Sequence, residues 1–230
     1  MTKNILLMAA VSAGLLSAQA TKEAARLKEC AVVLGEVMGA PDDAIPSELL
    51  ARAECVAVVP SMKKGALGFG ARFGRGAVAC RTGERGEGPW GPPSMLTIGG
   101  GSFGLQLGGQ SSDVVLLIMN RRGIDHLLRD KFTLGGDASA AAGPKGRTAA
   151  AATDATMRAE ILTYARTRGL FAGVSLEGAV VKPDNDANKR LYGKAVQAKD
   201  LLTQGGETPA DAAPLIEALN KYAPRNVSVK

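Results

Sequence analysis

The spacing of apolar and polar positions changes period along the chain. From Lys22 to Met38, Leu27, Cys30, Ala31, Leu34 and Met38 recur at steps of three and four, which predicts an amphipathic helix ended by Gly39 and Pro41. Pro46, Ser47 and Glu48 open a short helical turn through Leu50 and Arg52. From Glu54 the period becomes two. CVAVVP predicts a short strand, followed by a break at Ser61 to Gly65. The run from Ala66 to Arg81 then sets Leu67, Phe69, Ala71 and Phe73 on one face. Ala66, Gly68, Gly70, Arg72 and Gly74 fall on the other, and a hairpin turn is expected at Gly74-Arg75-Gly76. Arg81 to Pro93 is a Gly/Pro loop carrying Trp90, the only tryptophan. Alternation returns in Ile98 to Asp113, with Phe103, Leu105 and Leu107 opposed to Ser102, Gly104, Gln106 and Gly108. Val114 to Met119 is unbroken apolar sequence, as in a strand buried on both faces.

The alanine-rich stretch Gly135 to Thr156 has helical propensity, but Gly143-Pro144-Lys145-Gly146 interrupts it and alternation resumes over Leu170 to Val181, so strands are expected there. Beyond the turn KPDND, Ala187 to Leu202 and Ala210 to Tyr222 read as helices, the second disturbed by Pro214. The fold class that follows is α+β, a Gly-rich twisted antiparallel sheet or barrel-like β core with helices from both ends of the sequence packed on it. Glycines concentrate on one face of each long strand, where a second backbone can approach or the sheet can bend.

Two catalytic motifs are present in form only. Gly99, Gly101 and Gly104 fit G-x-G-x-x-G, but a dinucleotide site needs a helix after the last glycine, and here a strand continues. Gly100, Ser102 and Gly104 fit G-x-S-x-G. A hydrolase would have to assemble Ser102 with His126, the only histidine, and Asp113 or Asp125, without the strand–turn–helix context of a nucleophile elbow. The stretch from Asp184 to Asn188 imitates a calcium loop, but Lys189 and Ala195 stand where glycine and glutamate are required, so a helix-capping turn is expected instead. No cofactor and no metal site is expected.

The first twenty residues, MTKNILLMAAVSAGLLSAQA, have the charge, the short apolar run and the Ala-Gln-Ala ending of a cleaved export signal, with no cysteine after the cleavage point for a lipid anchor. A periplasmic or secreted location is therefore expected, with residues 21–230 as one domain. The chain of 230 residues carries a formal charge of +6, a mild bias toward anionic surfaces. An aromatic share of 4% argues against nucleic-acid stacking platforms. Three cysteines allow one disulfide: Cys30–Cys55, across the turn APDDAIP, is favoured over Cys55–Cys80, with three buried free thiols as the alternative. Lys63-Lys64 and Arg121-Arg122 are expected at strand ends, where they would share one rim and hold phosphate or simply be solvated. Trp90 either anchors at a bilayer interface or plugs the core.

Longer pieces carry a family resemblance. ECVAVVPSMKKGALGFGARFGRGAVACR, SMLTIGGGSFGLQLGGQSSDVVLLIMN, FTLGGDASAAAGPKGR and YARTRGLFAGVSLEGAVV occur in the order found in SYLF domains, over a core of about residues 54–192. The N-terminal helix and PDDAIPSELL resemble bacterial exported members. The resemblance implies a non-enzymatic lipid-binding domain with the alanine-rich stretch inside the sheet. Eukaryotic relatives bind phosphoinositide membranes and some bind actin; actin is not expected as a partner of an exported chain. The expected function is association with anionic phospholipid membranes of the cell envelope. Lys63, Lys64, Arg121 and Arg122 would attract head groups, and Trp90 and Met95 would insert shallowly. The alternatives are a serine hydrolase using Ser102 and His126, and a structural envelope protein that binds another protein.

Overall fold

A computed structural model describes residues 22–40, 44–67, 69–83, 86–103, 108–144, 146 and 158–226, with side chains described at all of these except 66, 67, 69, 102, 103 and 108. The proposed export signal and half of the alanine-rich stretch lie outside the described residues. Helix α1 covers residues 22–39 and α2 covers Ser47–Arg52. Four long strands follow: β1 (Cys55–Leu67), β2 (Phe69–Cys80), β3 (Ser94–Phe103) and β4 (Gly108–Ile118). Helix α3 (Arg121–Leu127) leads to β5 (Phe132–Thr133), β6 (Ala140–Ala142), β7 (Ile161–Thr167), β8 (Leu170–Gly173) and β9 (Val180–Pro183). Helices α4 (Asn185–Tyr192), α5 (Ala198–Gln204) and α6 (Ala213–Tyr222) close the described chain.

The strands form one sheet in the order β5-β9-β3-β2-β1-β4-β7-β6, with β8 also on β7. Every pairing is antiparallel except β6–β7. The sheet curls into a half-barrel. Its inner face carries Ala57, Val59, Leu96, Ile98, Val114, Leu116 and Ile118, and closes over Phe132, Leu134 and Val181. Its outer face carries Val56, Val58, Ala77, Val115 and Leu117, covered by Leu27, Leu34 and Val37 of α1, Leu49 and Leu50 of α2, and Leu215 and Leu219 of α6. Burying each such leucine contributes about 2 kcal/mol, so the helical cover is a main source of stability.

The first long hairpin differs from the pattern expected. The apolar period predicts a break at Ser61–Gly65 and a turn at Gly74–Gly76. Instead β1 runs through SMKKGAL until Leu67 pairs with Phe69, and β2 runs through GRG. A bulge near Ser61, whose φ is +50°, absorbs one extra residue of β1 and re-phases the strand. Gly76 faces this bulge: a Cβ there would stand 2.0 Å from the Val58 carbonyl oxygen. Gly100 is bare for a similar reason, with the Gly178 carbonyl oxygen 2.8 Å from its missing Cβ. The expected single helix from Ala187 to Leu202 is two, because Gly193 takes φ +66° and ends α4.

The disulfide joins Cys55 to Cys80, and Cys30 is a buried free thiol. The favoured Cys30–Cys55 pairing is thereby corrected. Cys55 and Cys80 are direct cross-strand neighbours at a Cα separation of 4.0 Å, on the inner face. Cys30 packs on the outer face and donates its S–H to the Val58 carbonyl, so the sheet itself separates it from Cys55.

Candidate surface-binding site

Strands β1 and β2 have 13 and 12 residues, about twice the usual length, and extend past the helices that cover the body. Helix α1 reaches the level of Pro60 and Asp113, where Arg166 bridges Glu36 and, at 2.9 Å, Asp113. Beyond that level, segments 61–75 and 99–112 contain Lys63, Lys64, Arg72 and Arg75 and no aspartate or glutamate. The far half of the four-stranded sheet is therefore a cationic, glycine-rich extension.

The register sorts its side chains into two rows. Gly99, Phe73, Lys63 and Ser111 lie side by side on the outer face, and Gly100, Arg72, Lys64 and Gln110 on the inner face. On the outer row Lys63 donates to Ser111 Oγ at 3.1 Å, and Phe73 is 50% exposed, with the Arg75 guanidinium 5.6 Å from its ring centre. Leu170, at the tip of the β7–β8 hairpin, is 76% exposed. On the inner row Arg72 reaches across Gly100 and donates through Nη2 to the Gly101 and Glu177 carbonyls at 3.4 and 3.3 Å. Its Nε is buried without an acceptor, and burial lowers its pKa.

The other expected contacts are distributed differently. Arg121 and Arg122 begin α3 at the opposite end of the sheet, where Ile118 pairs with Cys55. Ser111, beside Lys63, is seven residues along β4 from Ile118, about 24 Å at ~3.4 Å per residue. The two basic pairs do not share a rim, and Arg121 turns to Asp125 at 3.6 Å. Trp90 and Met95, expected to insert into a bilayer, are 5% and 1% exposed. Trp90 donates its indole N–H to the Ala223 carbonyl at 3.0 Å and stacks beneath Arg81, whose guanidinium lies 4.2 Å from the ring centre. Burial pulls Arg81 down to about 10. The Met95 amide donates to Asn188 Oδ1 of α4 at 2.7 Å. Both residues anchor the C-terminal helices to the sheet instead of facing outward.

The hydrolase constellation is not assembled. The Ser102 backbone pairs with Gly70 near the hairpin tips, while His126 sits on α3 at the other end, 3.5 Å from Glu160. Asp113 is held by Arg166 and accepts the Ser61 amide at 2.9 Å. The Ser102 side chain lies outside the described atoms, as does Gly104 of both glycine motifs. Asp184 caps α4 by accepting the Ala187 amide at 3.1 Å, which accounts for the calcium-like stretch. Arg72, Phe73 and Arg75 escape sequence reasoning because a turn drawn at Gly74–Gly76 cuts the strand that carries them. The available signal was five lysines and arginines, counting Arg81, in Lys63–Arg81 without a single acid.

The family model described as Las17-binding protein actin regulator, Ysc84, matches residues 99–222. An SH3 domain-containing protein of Schizosaccharomyces pombe is 36% identical over 202 residues, covering 86% of this chain and 46% of that protein. SH3 domain-containing YSC84-like protein 1 of Homo sapiens is 33% identical over 208 residues, covering 90% of this chain and 59% of that protein. Protein YSC84 of Saccharomyces cerevisiae is 33% identical over 206 residues, covering 88% and 43%. The chain thus spans about half the length of these curated relatives, whose names describe domains, binding and regulation and no enzymatic reaction. With the half-barrel, its terminal helices and more than half of its length matched, the chain belongs to the Ysc84 family, the SYLF-domain proteins.

Proposed function

We propose that this protein binds anionic phospholipid surfaces of the cell envelope through the uncovered end of its sheet. The observation that carries this reading is the pair of segments 61–75 and 99–112, with four cations, no acids and an exposed Phe73. Cations attract anionic head groups at about 1 kcal/mol each, and an exposed aromatic adds shallow apolar contact. Among the described residues no helix is long and apolar enough to cross a membrane. The contact set replaces the expected one: Lys63 and Lys64 stay, Arg72, Phe73 and Arg75 join them, and Arg121, Arg122, Trp90 and Met95 leave. Co-sedimentation with phosphatidylglycerol vesicles at low and high salt tests it. Salt-sensitive pull-down, absent with phosphatidylcholine, is the expected result; equal and negligible pull-down by both would end the reading.

A second reading is protein partnering, which the name of the family model records for its members. A groove of about 490 Å³ between α1 and strands β1, β4 and β7 holds half-exposed Val32, with buried Val33 and Pro60 beneath it, among Lys28, Glu29 and Glu36. Crosslinking in intact cells would favour it if one protein dominates while vesicle binding is absent.

A further inference from the structure

Lys64 and Arg72 are opposed residues on neighbouring strands, on the same face. Like charges placed directly opposite each other in a sheet repel and destabilise it. Among the described residues no carboxylate forms an ion pair with either. Arg72 is also partly withdrawn from water, its Nε–H buried without an acceptor, while its Nη2 makes only the two long bonds to backbone carbonyls. Gly100 and Gly74 flank it without side chains, but the Gly178 carbonyl lies against Gly100 and the Val59 and Met62 side chains lie against Gly74, so Lys64 is the cationic neighbour that shares the open side of Arg72. Gln110, next to Lys64, adds an amide donor to the row. Two cations held together are a cost for an empty sheet, and one tetrahedral oxyanion seated between the Lys64 ammonium and the terminal nitrogens of Arg72 relieves it.

We propose that Lys64 and Arg72 form a binding site for a single phosphate group on the inner face of the half-barrel's uncovered end. Arg72 supplies planar, directed N–H donors, Lys64 a mobile point charge from the opposite strand, and Gln110 a neutral donor. The ligand chemistry is a phosphate ester, presented either by a lipid head group or by a soluble molecule. The site rests on the cation pair and would make the membrane reading specific: outer-row Lys63 and Arg75 provide attraction, and the inner row provides the bond.

The test uses the full chain and two sources of phosphate ester. In the first arm, sn-glycerol 3-phosphate is titrated at constant ionic strength, observing the Arg72 Nε–H and the Gly100 and Gly101 amides by NMR. Saturable shifts are expected, weakened about tenfold by Lys64→Gln, the loss of one charged hydrogen bond. Lys63→Gln and Arg75→Gln on the outer row should leave them unchanged. Because Lys64 is partly exposed, its variants keep the fold. Lys64→Glu should raise the melting temperature at low salt by pairing with Arg72, and abolish the shifts. In the second arm, the same variants are sedimented with phosphatidylglycerol vesicles. If the soluble ester binds and vesicles do not, the site stands and the membrane reading falls. If vesicles bind with salt sensitivity but the ester gives no saturable shift, or Lys63→Gln weakens it as much as Lys64→Gln, the phosphate site is overturned.

Discussion

Gly76 shows what the bare positions of the long hairpin are for. A Cβ added there would stand 2.0 Å from the Val58 carbonyl oxygen and 2.8 Å from the Val59 Cα, where real Cβ contacts hardly fall below 3.0 Å. The obstacle is main chain, so no rotamer change relieves it. Strand β1 would have to withdraw by about 1 Å at its bulge, between the helical cover on one side and the packed inner face on the other. Overpacking costs 1–3 kcal/mol where side chains can give; with backbone as the obstacle Gly76→Ala should cost about 3 kcal/mol or more. For a domain near 200 residues that lowers the melting temperature by roughly 6–12 °C. The matched control is Gly109→Ala in β4, where nothing lies within 4 Å of the added Cβ and φ is not positive. It should stabilise by about 0.5 kcal/mol through the unfolded chain. Urea unfolding of both variants reads the difference directly. If Gly76→Ala lies within 1 kcal/mol of the parent, or Gly109→Ala is the more damaging of the two, the close-approach account of the glycines is wrong.

Three further outcomes are expected. Replacing Cys55 and Cys80 by alanine opens a loop of sequence separation 25 and should cost about 3.5 kcal/mol by chain entropy; alkylation of the unfolded, unreduced protein should tag Cys30 alone, and a second or different tagged cysteine would contradict the pairing. Burial pushes the Cys30 thiol from 9.0 up to about 12, so the unfolded chain loses that proton first. The stability this contributes is complete below pH 9 and falls as pH rises toward 12, by up to about 1.4 kcal/mol per pH unit. Cys30→Ala should flatten the alkaline fall of the urea midpoint, and an unchanged slope would place the titration elsewhere. Trp90 emission should be that of a buried indole and should not move when phosphatidylglycerol vesicles are added, even where the protein binds them; a blue shift on binding would mean that the Trp90–Arg81–Ala223 contact opens at the membrane.

Much of the fold was legible because burial repeats with the period of the local backbone. Leu27, Cys30 and Leu34 describe the covered face of α1, and Val114 to Ile118 describe a strand covered on both sides. The site was legible only in part. Lys63 and Lys64 stand out as a pair in any reading, but their faces depend on a one-residue bulge at Ser61, a backbone event that leaves no periodic mark. Trp90 was open to two interpretations because an indole has both an apolar body and a donor; the Ala223 carbonyl, 133 residues away, decides for the core.

By itself the sequence determined the α+β class, the glycine-rich strands and the order of elements, since each is written in local periodicity and turn chemistry. Only the tertiary structure decided which cysteines meet, which cations are neighbours and which apolar residues remain outside. Those depend on strand register and on which face of the sheet a residue occupies, and both are set by contacts between segments far apart in the chain, where a shift of one residue exchanges every inner side chain for an outer one.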